Sequence, residues 1–278
     1  MPSESLSASD FERLRALIHT ETGISLSPEK KTMLEVRLRR RLSDLHLASS
    51  AQYCDYLFAS GTKDHELIHL IDAVTTNKTD FFREPDHFEF LTSKALPELE
   101  AQNGSGRTSL IWSAGCSTGE EPYTLAMVLS EYLQEHPGFR FSILATDIST
   151  VVLDKARLGV FKTEAIRPVP QAFRKKYLMR SRDPGSDVVR ATPELREKME
   201  FRRVNLMDSD HGLAELPEII FCRNVIIYFD RRTQIRLLQN LVRQLKPGGY
   251  FFSGHSESLQ NMDLPLTSAG ASVYRKSA

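Results

Sequence analysis

From Ser109 onward, short apolar runs alternate with segments of helical periodicity, and this alternation limits the fold more than any other feature of the sequence. LIWSAG is followed by a helical stretch over 122–133, FSILATD by another over 149–158, and EIIFCRN by a third near 231–245. KPGG then turns the chain into YFFSGH. Strands separated by helices of about 10–15 residues predict βαβ units and a parallel sheet. The rhythm breaks over 177–205, where YLMR, DVVRA and MEFRRVN read as three short strands joined by the turn signals DPGS and TPE. A small antiparallel insertion is expected there.

Ahead of residue 108 no strand alternation occurs. Ser9 and Glu12 have capping-box spacing, and Phe11, Leu14, Leu17 and Ile18 share a helical face up to Gly23. A second helix is expected to open with Ser27 as N-cap and Pro28 at its first position, carrying Leu34, Leu38, Leu42 and Leu45 on one stripe. Two more helices fit 51–58 and 64–74. The expected organisation is a helical domain over 1–76 and an α/β domain over 77–278, with a linker over 77–93 and the insertion over 177–205.

At 278 residues with 41% hydrophobic and 26% charged, the chain has room for one large and one small globular domain. Basic and acidic residues balance at 36 each, so the surface as a whole makes no case for nucleic acid or an anionic membrane. Cys54, Cys116 and Cys222 are odd in number and far apart, which is neither a disulfide framework nor metal-ligand spacing. No metal is expected, and the cysteines suit a reducing compartment. No apolar stretch approaches about 20 residues and MPSESLSASDFERL lacks an apolar h-region, so no membrane insertion and a cytoplasmic location are expected.

WSAGCSTGEEPY, over 112–123, sits where the first strand turns into the first helix, at the sheet edge where such folds bind ligands. Gly115 and Gly119 allow close approach, and Pro122 must lie in the first helical turn, which places Glu120 and Glu121 at the helix mouth. G-x-x-x-G is not the dinucleotide fingerprint, no Lys follows to make a P-loop, and two acids repel pyrophosphate. Either they meet a ligand bearing an ammonium or they only complement the helix dipole. Asp147 ends FSILATD, where a carboxylate either accepts the hydroxyls of a ribose or caps the next helix. Asn205 either reads an adenine edge or forms a turn. Arg223 and Asn224 end FCRNVIIYFD with polar groups that a plain buried strand would not choose, and Tyr228 faces either the site or the core. In NKTDFFRE, over 77–84, polar Asn77, Thr79 and Arg83 alternate around Phe81 and Phe82. Glu121 and Arg83 would supply the anion and the cation that the amino-acid end of methionine needs. KKTMLEVRLRRRL on the second helix gathers Lys30, Lys31, Arg37, Arg39, Arg40 and Arg41, either as a solvated face or as a basic patch beside the ligand edge.

NKTDFFRE, WSAGCSTGEEPY, ATDIS, VNL, FCRNVIIYFD and SGHSESL, in this order and spacing, resemble the CheR family of chemotaxis-receptor methyltransferases, and the resemblance covers essentially the whole chain. It implies a Rossmann-like α/β methyltransferase sheet with a small N-terminal helical domain and an inserted three-stranded antiparallel subdomain. It also implies a protein-glutamate O-methyltransferase that uses S-adenosylmethionine, releases S-adenosylhomocysteine and forms methyl esters on chemoreceptor cytoplasmic helices. By the same resemblance, Asn77, Thr79, Arg83, Glu121, Asp147, Asn205, Leu206 and Arg223, with Asn224 beside it, line the cofactor pocket. Tyr228 would lie near the transferred methyl and act with Arg83 in positioning. Arg37, Arg40 and Arg41 would meet acidic receptor helices. The inserted strands match a subdomain that in some members binds a receptor C-terminal tether, although the loop 181–187 carries only one glycine, Gly185. Two rival readings are weaker. An NAD-dependent oxidoreductase conflicts with the G-x-x-x-G loop, and a nucleic-acid enzyme conflicts with zero net charge and the lack of aromatic stacking platforms.

Overall fold

Among the described residues, four α-helices build the front of the chain, each placing its apolar stripe on a shared core. The computed structural model describes residues 5–59, 63–103, 106–183, 185–260 and 262–277. α1 (Ala8–Thr22) buries Phe11, Leu14, Leu17 and Ile18 and stops at Gly23, whose φ of 76° lets its N–H reach the His19 carbonyl. Its cap is Ser7 and not Ser9. Ser7 accepts the Asp10 N–H at 3.0 Å while its hydroxyl donates to the Asp10 carboxylate at 2.8 Å, a pair that starts the helix two residues early. Ser27 and Pro28 open only a 3-10 turn, Pro28–Lys30, without a side-chain cap bond. The regular helix α2 (Lys31–Asp44) follows, burying Leu34, Leu38 and Leu42, with Leu45 partly buried at its end. α3 (Ser50–Phe58) and α4 (Lys63–Val74) complete the domain.

After the linker, α5 (Asp86–Phe90), a π turn and α6 (Leu96–Asn103) lead to β1 (Thr108–Ala114). The chain continues through α7 (Glu120–Glu135), β2 (Arg140–Asp147), α8 (Thr150–Leu158), β3 (Val160–Lys162), α9 (Gln171–Tyr177), β4 (Leu178–Arg180), β5 (Val188–Ala191) and α10 (Pro193–Arg196). It ends with β6 (Met199–Arg203), β7 (Ile219–Cys222), α11 (Arg231–Gln244), β8 (Tyr250–Ser253), β9 (Leu266–Gly270) and β10 (Val273–Lys276). The main sheet has the order β6-β2-β1-β7-β8-β10-β9. Its first five strands are parallel, and β10 runs antiparallel to both neighbours. Consecutive strand residues fall on opposite faces. Ile111, Phe221 and Phe252 enter one core, while Trp112, Ile220 and Phe251 enter the other. Burial on both faces is why these strands read as unbroken apolar runs.

The insertion differs from expectation. MEFRRV forms β6, which pairs parallel with β2 from Ile143↔Met199 to Asp147↔Arg203 and closes the edge of the main sheet. The small antiparallel sheet is instead β3-β5-β4, so its strands lie within 160–191 rather than 177–205. A three-residue strand such as VFK is too short to show alternation. The half-apolar pattern of MEFRR suits a sheet edge as well as a hairpin. Position 184, in the 181–187 loop, lies outside the described residues.

Candidate functional site

The carboxyl ends of β1, β2, β6 and β7 open into a cleft of about 1160 Å³, its open mouth included, and the helical domain forms its roof. Thr22, Ile24, Lys30 and Met33 line it from the front of the chain. Asn77, Thr79 and Arg83 of the linker, Glu121, Asp147, Asn205, Leu206, Arg223, Asn224 and Tyr228 line it from the α/β side. The domains are tied beside it by an isolated bridge, Ile24↔Phe229, by the Ser25 N–H to the Tyr228 carbonyl at 2.9 Å, and by His19 to Asp230 at 2.7 Å.

Glycine is required at the first turn. Gly115 has φ 84°, and a Cβ there would stand 2.5 Å from Val225 Cγ2. The turn delivers the Ser117 N–H to Asp147 Oδ2 at 2.9 Å, and Oδ1 accepts the Ser149 N–H at 3.0 Å. The cap of α8 is Ser149, so Asp147 is not spent as one. With N–H groups on both oxygens, the carboxylate still has accepting capacity towards the cleft. Burial pushes its pKa up, against the N–H groups of Ser149, Ser117 and Ile148.

The two glutamates at the mouth of α7 part company. Glu120 accepts from Thr118 Oγ1 at 2.6 Å and does not line the cleft. Glu121 does, with Oε1 accepting from Ser113 Oγ at 2.7 Å and Oε2 lying 3.4 Å from Arg223 Nη1. The cation paired with Glu121 is therefore Arg223. The Arg83 guanidinium, also on the cleft wall, reaches the Lys78 carbonyl at 3.4 Å. The Arg223 side chain is 2% exposed and held from its other side by Glu84, whose Oε2 is 3.1 Å from Nη2 and 3.3 Å from Nε.

Glu84 had no sequence signal of its own. It adopts φ 54°, a strained value for a non-glycine residue, and also accepts from Asn224 Nδ2 at 3.4 Å and the His255 N–H at 3.2 Å. Glu257 was missed too. Its buried carboxylate accepts the N–H groups of Gly254 at 2.7 Å, Asn224 at 2.8 Å and Ile226 at 2.9 Å, which fixes the turn running to Tyr228. The signal available was a lone acid in SGHSESL just beyond an apolar strand.

Asn205 takes the turn-forming role. Its Oδ1 accepts the Met207 N–H at 3.1 Å and its Nδ2 donates one N–H to the Glu21 carbonyl at 2.7 Å, which ties the side chain to the backbone and to the helical domain. Its second amide N–H and the strand-end backbone stand on the cleft wall beside Leu206. Tyr228 faces the cleft from the 3-10 turn Ile226–Tyr228.

Two of the three helix arginines assigned to a partner are committed within the molecule. Arg37 donates to the carbonyls of Val74 at 2.6 Å and Thr75 at 2.9 Å and to Thr76 Oγ1 at 3.2 Å. Arg41 forks onto Glu66 at 2.8 and 2.6 Å. The i, i+4 spacing that puts them on one face also packs that face on α4 and the linker. Arg39 and Arg40 are the exposed pair.

Residues 77–274 match the CheR methyltransferase SAM binding domain, and residues 9–75 match the CheR methyltransferase all-alpha domain. The chain is 41% identical to chemotaxis protein methyltransferase 2 of Pseudomonas aeruginosa, over 95% of this chain and 92% of the relative. It is 39% identical to the chemotaxis protein methyltransferase of Borreliella burgdorferi over 90% and 88%, and 38% identical to that of Escherichia coli over 97% and 91%.

Proposed function

Because the chain belongs to the CheR methyltransferase family, we propose that it methylates glutamate side chains on the cytoplasmic helices of chemoreceptors, using S-adenosylmethionine. The observation that carries this reading is that Asp147, Glu121 and Arg223 surround one cleft at the strand ends. They offer an anion for ribose hydroxyls, an anion for an ammonium and a cation for a carboxylate. When bound, S-adenosylmethionine supplies a sulfonium-activated methyl group, which a glutamate carboxylate, ionised above its ordinary pKa of about 4.3, attacks without a base.

The residues of the chain therefore bind and align. Asp147 holds the ribose, the backbone at Asn205 and the side chain of Leu206 flank the adenine, and Glu121 and Arg223 grip the amino-acid end. Arg83 and Tyr228 line the cleft where the acceptor carboxylate enters, and they position it. Proximity and orientation of this kind are worth about 7–11 kcal/mol. An extended receptor tail would add to the free edge of β4, which is terminal in its sheet.

The test is incubation with labelled methyl donor and receptor cytoplasmic fragments. Base-labile label on glutamates is expected, and base-stable label or none on the fragments would refute the reading. Receptor recognition falls to Arg39 and Arg40. Reversing both to Glu should slow receptor methylation and flatten its salt dependence, because exposed pairs worth about 0–1 kcal/mol each act mainly through screened attraction. Affinity for S-adenosylhomocysteine, measured by calorimetry, should stay unchanged. Arg37→Glu should instead weaken cofactor binding, since it frees Val74–Thr76 on the cleft wall.

A further inference from the structure

Glu84 also meets two histidines that the methyl-transfer reading does not use. His87 is 1% exposed, and its Nδ1 lies 3.5 Å from Glu84 Oε2. His255 stands at the rim, 45% exposed, with its ring edge-on to His87 at 4.9 Å between centroids. A ligand atom from each of Glu84, His87 and His255 lies within 4.8 Å of the other two.

Donor accounting at His87 shows what is missing. Its Nε2 is 3.3 Å from the Ala271 carbonyl, so both ring nitrogens face oxygens that only accept. A neutral ring has one N–H to offer, and among the described residues Nδ1 has no hydrogen-bond partner. A metal ion on Nδ1 takes up that nitrogen's lone pair while the Nε2–H keeps its carbonyl. The Nε2–H to a backbone carbonyl is the outer contact that metal-bound imidazoles make, and Asp86 Oδ2 sets a carboxylate 3.1 Å from His255 Nε2. Arg223 is opposed by Glu84 and Glu121, with Asp86 at the rim, so an added cation does not face an uncompensated positive charge.

We propose that Glu84, His87 and His255 form a binding site for a divalent transition-metal ion of the zinc type, entered from solvent past His255. Two imidazoles and one carboxylate are a ligand set that zinc takes, with a position left for water. The site lies behind Arg223 and takes no part in the chemistry of transfer.

The test uses the full chain, stripped of metal, with zinc chloride in competition with a chromophoric chelator near neutral pH. The wild type should take up a single ion in this site, and His255→Ala should bind it about tenfold or more weakly. Because His255 is exposed, that variant should keep the melting temperature of the metal-free wild type. His136→Ala, which removes another exposed histidine beside a carboxylate, should bind zinc as the wild type does. No zinc uptake by the wild type, or equal uptake by His255→Ala, would overturn the proposal. Uptake abolished by blocking the cysteines and indifferent to His255 would assign the ion to thiols and overturn it as well.

Discussion

Arg223→Met should lower folding stability by about 3–5 kcal/mol, the usual cost of removing one partner from a buried ion pair. The Arg223 side chain is 2% exposed and its guanidinium stands between Glu84 and Glu121, whose side chains are 13% and 14% exposed. Without it two poorly solvated carboxylates face each other. The pH dependence separates this cause from lost packing. In the wild type, burial opposes ionisation of Glu84, but the charge of Arg223 and the His255 N–H prevail and hold its pKa below the ordinary value. A depressed folded pKa contributes stability above the unfolded value, and that stability is lost as pH falls. In the variant, burial and the like charge of Glu121 hold both pKa values up, so stability is lost as pH rises. Urea denaturation should therefore show the gap between variant and wild type narrowing from about pH 7 to about pH 4.5. A gap that stays constant would assign the loss to packing. Arg223→Met combined with Glu84→Gln should recover part of the loss at neutral pH, because one of the stranded charges is gone.

The parts of this molecule that could be read from sequence are those whose cause is local. Strands buried on both faces declare themselves as apolar runs, and Gly115, Gly119 and Pro122 fix the first strand-to-helix turn within a few residues. Asp147 could be placed on the cleft wall because the carboxyl end of a parallel strand is the edge that opens towards a ligand in such folds. The difficulties arise where the cause lies across the chain. Glu84 matters through Arg223, 139 residues away, and no periodicity encodes that pairing. The amide of Asn205 gives one N–H to the Glu21 carbonyl, 184 residues earlier, and no sequence pattern announces that contact. The spacing of Arg37 and Arg41 specifies a shared helix face. It does not specify that α4 and the linker cover that face, which depends on how four helices pack. β3 and β6 are a case of short length, since neither run is long enough to distinguish an inserted hairpin from a sheet edge.

Asp147→Ala should weaken S-adenosylhomocysteine binding by about 1.5–3 kcal/mol, the range for a lost hydrogen bond to a charged group. Calorimetry measures this directly. The side chain has a second duty that must be separated from the first, because it also holds the N–H groups of Ser117 and Ser149 and so joins the β1 turn to the start of α8. Its loss strands two buried donors, and the melting temperature should fall with the affinity. Ser149→Ala tells the two duties apart. It removes the cap bond to Val152 at 3.4 Å and destabilises α8 by about 1 kcal/mol, yet it keeps the backbone N–H and the carboxylate in place. If Asp147 grips the ribose, Ser149→Ala loses stability and keeps its affinity, whereas Asp147→Ala loses both. Matching losses of affinity in the two variants would show that the shape of the loops, and not the carboxylate, accounts for binding at this edge. Asp147→Asn is the finer probe. An amide can accept at only one of its two ends, so its NH₂ must face either the Ser117 or the Ser149 N–H at about 3 Å. One loop is then repelled while half of the ribose contact survives, and the affinity of this variant should fall between those of the wild type and Asp147→Ala.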